Sequence, residues 1–290
     1  MTAVQAVSAL SLEEFFAPIA EAVGLRHSLA ETLQIFALAM ARWLPITSLT
    51  PFLGGRLVPA PIKIGLASVL SLALVPWLSL QAQAPLALGG LAWWALLVKE
   101  IGIGVMLGFA GGIVFWAGQM GGRFVDTARG TVIANLFVPQ TRLQSSMLGD
   151  FYFQLLIVLY MMAGGHRWFL SAVYDSYRLV PPMSPTFRVA GSADAFIEAT
   201  AQAFVIGVKL VAPAVVVIMM LDLVLGMANR MAPQLDVFFI SLSLKSALSA
   251  LAIALSLYYL GSVAMEAFSE QQAWLSRAVH QMAPPEPATP

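Results

Sequence analysis

Two charge-free apolar segments, each twenty residues long, most constrain how this chain can fold. They are residues 101–120 and 246–265. An α-helix rises about 1.5 Å per residue, so about 20 residues are needed to cross a hydrocarbon core of about 30 Å. Each segment is therefore long enough to span a membrane as a helix.

Four further apolar segments, which are shorter or carry charges, favour the same class of fold. They are residues 33–53, 64–80, 151–165 and 203–227. Charged residues make up only 10% of the chain, whereas soluble domains average about 25%. Proline and glycine clusters separate the segments, which favours kinked helical hairpins. The sequence predicts an all-α integral membrane protein of about six hydrophobic helices.

The two ends of the chain differ from this apolar middle. Residues 10–23 place their apolar side chains on one side of a helix, a pattern typical of an amphipathic helix at an interface. We therefore predict an N-terminal amphipathic segment over residues 1–30 and a helical membrane domain over residues 31–268. Residues 269–290 are predicted to form a C-terminal tail with a disordered end.

Residues 121–150 form the one long polar interruption in this apolar chain. Its charged side chains are Arg123, Asp126, Arg129, Arg142 and Asp150. The first part can extend a helix, but the middle must turn at Pro139. Irregular backbone cannot face lipid, because its polar groups would lack hydrogen bonds, so we predict a central polar loop in water or in a protein-lined cavity. It is either a simple connection or a pore or docking loop.

Several charged residues fall within or beside the apolar segments. They are Arg42, Lys99, Glu100, Lys209, Asp222, Arg230 and Lys245. A charge at the centre of a membrane helix costs about 2.5–3.5 kcal/mol on insertion scales, so these side chains are expected to face protein or water. They form either an internal set of salt bridges or an ion or proton pathway.

The spacing of these charges predicts some of their partners. Lys209 and Asp222 lie too far apart along one helix to pair with each other, so each is expected to reach another helix or another subunit. Lys99 and Glu100 are adjacent and point about 100° apart, which predicts separate partners. A chain reversal at Pro233 would allow Asp222 to pair with Lys245.

Gly104, Gly108 and Gly112 repeat at four-residue spacing in the third apolar segment. Small residues at that spacing let helix backbones approach closely in membranes. The pattern predicts a helix-packing face rather than a chemical site.

No enzyme signature accompanies these features. The sequence lacks the phosphate-binding G-x-x-x-x-G-K-[ST] loop, the metal-binding H-E-x-x-H pair and the G-x-S-x-G nucleophile turn. It has no cysteine, and its three histidines are scattered. Its formal net charge of zero gives no basic face for nucleic acid. We predict a protein that is not an enzyme, has no cofactor or metal and binds no nucleic acid.

Three blocks of the sequence form a recognisable pattern. They are the prolines from Pro51 to Pro61; the run from Gly121 through Gly164, Gly165 and His166 to Ser176, Tyr177 and Pro181; and Ala212, Pro213, Asp222, Gly226, residues 230–238 and residues 241–245. In this order they resemble the T subunit of the type III secretion export apparatus (SctT), a family related to flagellar FliR. The central loop reads VPQ at residues 138–140, where flagellar members tend to carry Asp-Pro, so the secretion branch is favoured over the flagellar one.

The resemblance implies a multi-pass protein of the bacterial inner membrane without enzymatic activity. It implies assembly with the R and S subunits (SctR and SctS) into the portal of a protein-conducting channel. Further implied partners are the U subunit (SctU), inner rod and needle proteins, polypeptide substrates in transit and inner-membrane lipid. A secondary transporter or ion channel using Glu100, Lys209 and Asp222 is the alternative from another class.

The resemblance also implies that the loop after Gly130 helps to close the channel. The candidate plug residues are Val132, Ile133, Leu136, Phe137 and Val138. Gly130 and Pro139 bracket this apolar run and are predicted hinges, and a hydrophobic constriction can gate by excluding water. Alternatively, the five side chains dock the loop on a neighbouring helix.

Overall fold

The described residues of this computed structural model form seven α-helices. The description covers residues 29–55, 58–81, 90–130, 146–184, 189–231 and 237–282, without the side chains of 29, 189–193, 195, 237–240, 242, 252 and 255–258. The helices are α1 (Leu29–Leu49), α2 (Ala60–Gln81), α3 (Leu91–Ala128), α4 (Met147–Met162), α5 (Gly165–Leu179), α6 (Val189–Met231) and α7 (Val237–Met282). No strand occurs in these ranges, and the predicted all-α class is confirmed.

A helix that the sequence did not predict follows the apolar segment 151–165, which itself forms most of α4. Helix α4 ends at Met162, and α5 begins at Gly165 after a bend of 76°. Gly164 between them has a φ of 76°, in the left-handed region that glycine enters without a Cβ clash. This glycine accounts for a helix count above the predicted six.

The predicted central loop is also shorter than residues 121–150. Helix α3 continues as far as Ala128, because Gly121 and Gly122 pack within it rather than ending it, and α4 begins at Met147. Gly130 follows α3 with a φ of 85°. The remaining part, residues 131–145, lies outside the described residues.

Helix α7 occupies most of the residues assigned to the predicted C-terminal tail, 269–290. Helix α7 extends to Met282, and the side chains of Trp274, Leu275 and Val279 are buried on it. Residues 266–282 contain no proline or glycine and repeat apolar residues at helical spacing, so nothing local stops the helix. The proposed disordered end, 283–290, and most of the N-terminal segment, 1–28, lie outside the described residues.

Four of the helices are long and apolar enough to cross a membrane. They are residues 30–49, 60–81, 91–128 and 196–231, and the bent pair α4 and α5 makes a fifth candidate if it counts as one span. These counts apply to the part of the chain that the structure describes. Prolines lie inside α1, α2 and α6, where each removes a backbone hydrogen bond and permits a kink.

The chain divides into two compact units. The first combines Met1–Gly111, Leu170–Ala195 and Leu275–Pro290, and in its described part α1 packs on α2. The second combines Gly112–Phe169 and Phe196–Trp274. Its core includes an aromatic cluster in which the Tyr160 ring meets the rings of Phe115 and Phe268 edge-on, with centroids 5.3 and 5.0 Å away. Edge-to-face contacts of this kind add to the stability that burial provides.

Candidate functional site

The first unit contains a fully buried ion pair between α1 and α3. Arg42 donates from Nε to Glu100 Oε2 at 2.6 Å and from Nη2 to Glu100 Oε1 at 3.0 Å. Neither side chain has any exposed surface. Two parallel hydrogen bonds between a guanidinium and a carboxylate are stronger and more directional than one. This pair fixes the register between the two helices.

The rest of the Arg42 guanidinium is also occupied. Nη1 donates to Ser176 Oγ at 3.0 Å, and Nη2 donates to the Val180 carbonyl oxygen at 2.9 Å. The guanidinium carbon lies 4.1 Å from the centre of the Tyr177 ring, a favourable cation–π distance. The cluster thereby joins the C-terminal end of α5 to α1 and α3.

Lys99 extends this cluster by binding the chain just after α5. Its Nζ donates to the carbonyl oxygens of Pro181, Pro182 and Ser184 at 3.0, 3.0 and 2.8 Å. It also lies 3.0 Å from Glu100 Oε1. Glu100 and Lys99 thus each have a partner elsewhere in the fold, Arg42 for the carboxylate and three carbonyl groups for the lysine, and the long lysine side chain also bends across to its neighbour. The arrangement is an internal salt-bridge set.

The three spaced glycines of α3 do not share one role. A Cβ on Gly104 would overlap the carbonyl oxygen of Arg42, and one on Gly108 would lie 3.1 Å from the Cα of Ile46. Both therefore let α3 approach the α1 backbone. A Cβ on Gly112 would instead lie 2.7 Å from the Trp116 ring of its own helix. Two of the three glycines, Gly104 and Gly108, therefore lie at a contact between helices, as the spacing predicted.

In the second unit, the charges of α6 contact α7. Lys209 Nζ lies 3.1 Å from Glu266 Oε1 and 3.9 Å from Glu270 Oε1. Asp222 forms an ion pair with Lys245. Lys209 and Asp222 thus contact another helix rather than each other. These two contacts join the last two long helices at separate levels.

We expect Asp222 and Lys245 to show energetic coupling. The Asp222 side chain is 52% exposed and that of Lys245 19% exposed, and exposed pairs typically contribute about 0.2–1 kcal/mol. Asp222→Lys and Lys245→Asp should each lower the free energy of unfolding, and the double reversal should restore part of it. Arg230→Asp, at an exposed position near the end of α6, serves as the control. Losses that simply add in the double variant would exclude the pairing as a stabilising contact.

One polar contact that the sequence did not predict lies where α3 ends and α4 begins. Asp126 on α3 accepts hydrogen bonds from Ser146 Oγ and from the backbone N–H of Leu148. Ser146 is the N-cap residue of α4. A serine just before an apolar run is a recognised helix-start signal, but the sequence gives no indication that Asp126 would be its partner.

Val132, Ile133, Leu136, Phe137 and Val138 lie outside the described residues, as do Pro139 and Pro233. Helix α6 ends at Met231 and α7 begins at Val237, on either side of Pro233. Within the described ranges, no group of three or more His, Cys, Asp or Glu side chains could hold a metal ion.

Comparison with known proteins places this chain in a family. Residues 33–271 match the family described as bacterial export proteins, family 1. The chain belongs to this family. With the apolar helices described above, membership makes it a multi-pass membrane protein and a component of a bacterial export apparatus.

Several members of the family resemble the chain along most of their length. It is 31% identical to the secretion system apparatus protein SsaT of Salmonella typhimurium over 232 residues, which are 79% of this chain and 89% of that protein. It is 30% identical to the flagellar biosynthetic protein FliR of Escherichia coli over 212 residues, 73% and 80% of the two chains. It is 28% identical to the Yop proteins translocation protein T of Yersinia pestis over 221 residues, 76% and 84%.

Proposed function

We propose that this chain is the T subunit of a type III secretion export apparatus, in which it forms the portal of the protein-conducting channel together with the R and S subunits. The observation that carries the proposal is the family match over residues 33–271, since its relatives include named components of secretion systems. The relatives also include flagellar FliR, so a flagellar export subunit is the second candidate.

The surface of α6 supports assembly with other chains. Its exposed apolar side chains are Phe204, Val208, Val216, Met219, Met220, Leu223 and Val224. Lys209 lies on the same helix, and its ion pairs with Glu266 and Glu270 are partly exposed. Lipid accommodates the apolar side chains but not an exposed charge. A protein neighbour that covers both is therefore the better match for this surface.

As a subunit of this apparatus, the chain has a defined location in the cell and further neighbours. The protein resides in the bacterial inner membrane, with the U subunit and the inner rod and needle proteins as additional neighbours. Its substrates are unfolded polypeptides in transit, and the chain contributes a passage rather than a reaction. No cofactor takes part.

We expect the chain to be stable only with its partners. Co-expression with the R and S subunits should give one monodisperse complex in mild detergent, whereas the chain alone should aggregate, because its exposed apolar and charged surfaces remain uncovered. Size-exclusion chromatography with light scattering measures this. A folded monomer that gains no stability from the R and S subunits would contradict the proposal.

A strain that lacks this chain separates the two candidate functions. Loss of secretion with normal swimming identifies a subunit of a secretion system, and loss of swimming with normal secretion identifies a flagellar subunit.

The central segment of the chain is proposed to close the channel. An apolar constriction excludes water and ions without a charged ring, and the run from Val132 to Val138 is apolar at every position except Asn135. It lies between Gly130, which ends α3, and Pro139. In this proposal the segment acts as a plug until a substrate enters.

Substituting the plug should open a leak. Ile133→Ser with Phe137→Ser is expected to raise ion conductance across vesicles that contain the assembled complex, because the constriction becomes wettable. Assembly should be unchanged. The control is Met147→Ser, at an exposed position of α4 beyond the segment. If the substitutions instead prevent most of the complex from forming, and the complex that does form shows no leak, the loop is a packing element.

A further inference from the structure

We propose that the outward face of α6 around Asp222 is a docking face for an apolar helix of a partner chain, and that this helix carries one basic or amide side chain that donates to the Asp222 carboxylate. This rests on the proposed function, in which the partner is the R or the S subunit. The contacts that support it belong to α6 and α7, within the second unit.

Asp222 lies well inside the apolar part of α6. The nearest charges on either side of it along this helix are Lys209 and Arg230. At about 1.5 Å per residue these two positions are about 31 Å apart, which matches a hydrocarbon core of about 30 Å. Asp222 then lies about 12 Å along the helix from Arg230 and about 20 Å from Lys209. A carboxylate at such a depth is costly unless donors bind it.

The Asp222 carboxylate is not fully used within this chain. Its ion-pair partner among the described residues is Lys245 of α7. The Asp222 side chain is still 52% exposed, whereas that of Lys245 is 19% exposed. An ionised carboxylate has about four sites that accept hydrogen bonds. The pair therefore turns its negative end outward, and the surface of α6 presents acceptor sites to a neighbour.

The surface around Asp222 is apolar. Met219, Met220, Leu223 and Val224 are exposed there, and 33% of the most apolar stretch of α6 is buried within this chain. Water would solvate the carboxylate but not these side chains, and lipid would accept these side chains but not the carboxylate. An apolar partner helix with one donor satisfies both. The methionines suit such a contact, because their flexible side chains adapt to a neighbour.

Gly226, one turn after Asp222, lets a partner helix come close. The residue is exposed, and an added Cβ would meet no atom within 4 Å. Small residues on a membrane helix allow the backbone of another helix to approach. A donor on that helix then reaches the Asp222 carboxylate. The charge, the apolar side chains and the open position thus fit the same occupant.

Photo-crosslinking identifies what covers this face. The full chain is co-expressed with the R and S subunits, with benzoylphenylalanine at the exposed position Leu223. We expect an adduct with a helix of the R or S subunit that carries a lysine, arginine, asparagine or glutamine near the cross-linked site. Cross-links to lipid alone, to a second copy of this chain or to a helix without such a donor would overturn the proposal. Labelling of Leu223→Cys by a water-soluble maleimide in the intact complex would also overturn it, since the face would then line an aqueous passage.

A bulky side chain at Gly226 tests the close approach. Gly226→Leu should lower the yield of complex roughly tenfold, the factor that corresponds to overpacking of a contact. The amount of the chain in the membrane should not change, because the new Cβ meets no atom of this chain. Gly261→Leu is the matched control, since an added Cβ there also meets no atom within 4 Å, and Gly261 lies about 24 Å along α7 from Lys245. Equal yields of the two variants would overturn the close approach.

A neutral double variant separates the partner from Lys245. Asp222→Leu alone also leaves Lys245 without its ion pair. Asp222→Leu with Lys245→Leu removes both charges, so the complex should recover fully if the carboxylate serves Lys245 alone. We expect its yield to stay roughly tenfold below that of the unsubstituted chain, the factor for one hydrogen bond to a charged group. Full recovery would overturn the docking role, whereas R and S subunits that never co-purify with the unsubstituted chain would overturn the proposed function.

Discussion

Replacing Glu100 with glutamine is expected to lower the free energy of unfolding by about 3–5 kcal/mol, the range found when one partner of a buried ion pair is removed. Arg42 would then remain as a buried cation without a carboxylate, although Ser176 and the Val180 carbonyl would still accept from it. Lys99 would keep its three carbonyl partners after α5. The loss should therefore come mainly from the uncompensated Arg42 charge.

A double variant separates charge from packing. Arg42→Met with Glu100→Leu removes both charges and keeps apolar volume, so it should recover much of the stability that Glu100→Gln loses. Thermal unfolding of the purified complex and the yield of folded protein measure the stability of the single and the double variant. The control is Asp175→Asn, which breaks the exposed contact between Asp175 and Arg178 in the same unit and should change stability by less than about 1 kcal/mol. If Glu100→Gln were as mild as Asp175→Asn, the buried pair would not stabilise the unit.

Substituting Gly104 with alanine is expected to be almost as damaging. The new Cβ would overlap the Arg42 carbonyl oxygen and lie 3.1 Å from the Arg42 Cα. Because both are backbone atoms, α1 and α3 must move apart, at a cost of about 1–3 kcal/mol for overpacking. The same movement would stretch the bidentate bond between Arg42 and Glu100, so the two effects are coupled.

Gly102 provides the matched control for that substitution. It lies on the same helix, yet an added Cβ would meet no atom within 4 Å. Gly102→Ala should be neutral or stabilising by up to about 1 kcal/mol, since alanine favours a helix more than glycine does. The unfolding temperature and the yield of complex should therefore fall for Gly104→Ala and stay the same or rise for Gly102→Ala. Equal behaviour would show that close helix packing at Gly104 is unimportant.

The sequence by itself determined the class of the protein. Segment length and hydropathy are local properties, and they were enough to predict membrane helices, because the hydrocarbon thickness imposes a fixed length on any helix that crosses it. The blocks that resemble the export family were also readable in order along the chain. The family match over residues 33–271 confirms that recognition.

Helix ends were less predictable, because their causes lie partly outside the local pattern. Gly164 ends α4 and bends the chain by 76°, whereas Gly121 and Gly122, a pair of the same residue type, lie inside α3. The difference comes from contacts. A Cβ on Gly122 would meet the backbone of Gly149, and one on Gly121 would meet Val211 and the Gly207 carbonyl. Tertiary packing thus decides whether a glycine breaks a helix or lets two helices meet.

For the buried charges, only the tertiary structure decided the partner. The sequence indicated that Arg42, Glu100 and Lys99 needed partners, because unpaired charges are costly in an apolar setting. It could not show that Arg42 meets Glu100, which lies 58 residues away, or that Asp126 caps a helix that starts after a polar connection. Such pairs depend on how the helices cross, and crossing is set by the shapes of whole helix surfaces rather than by any stretch of sequence.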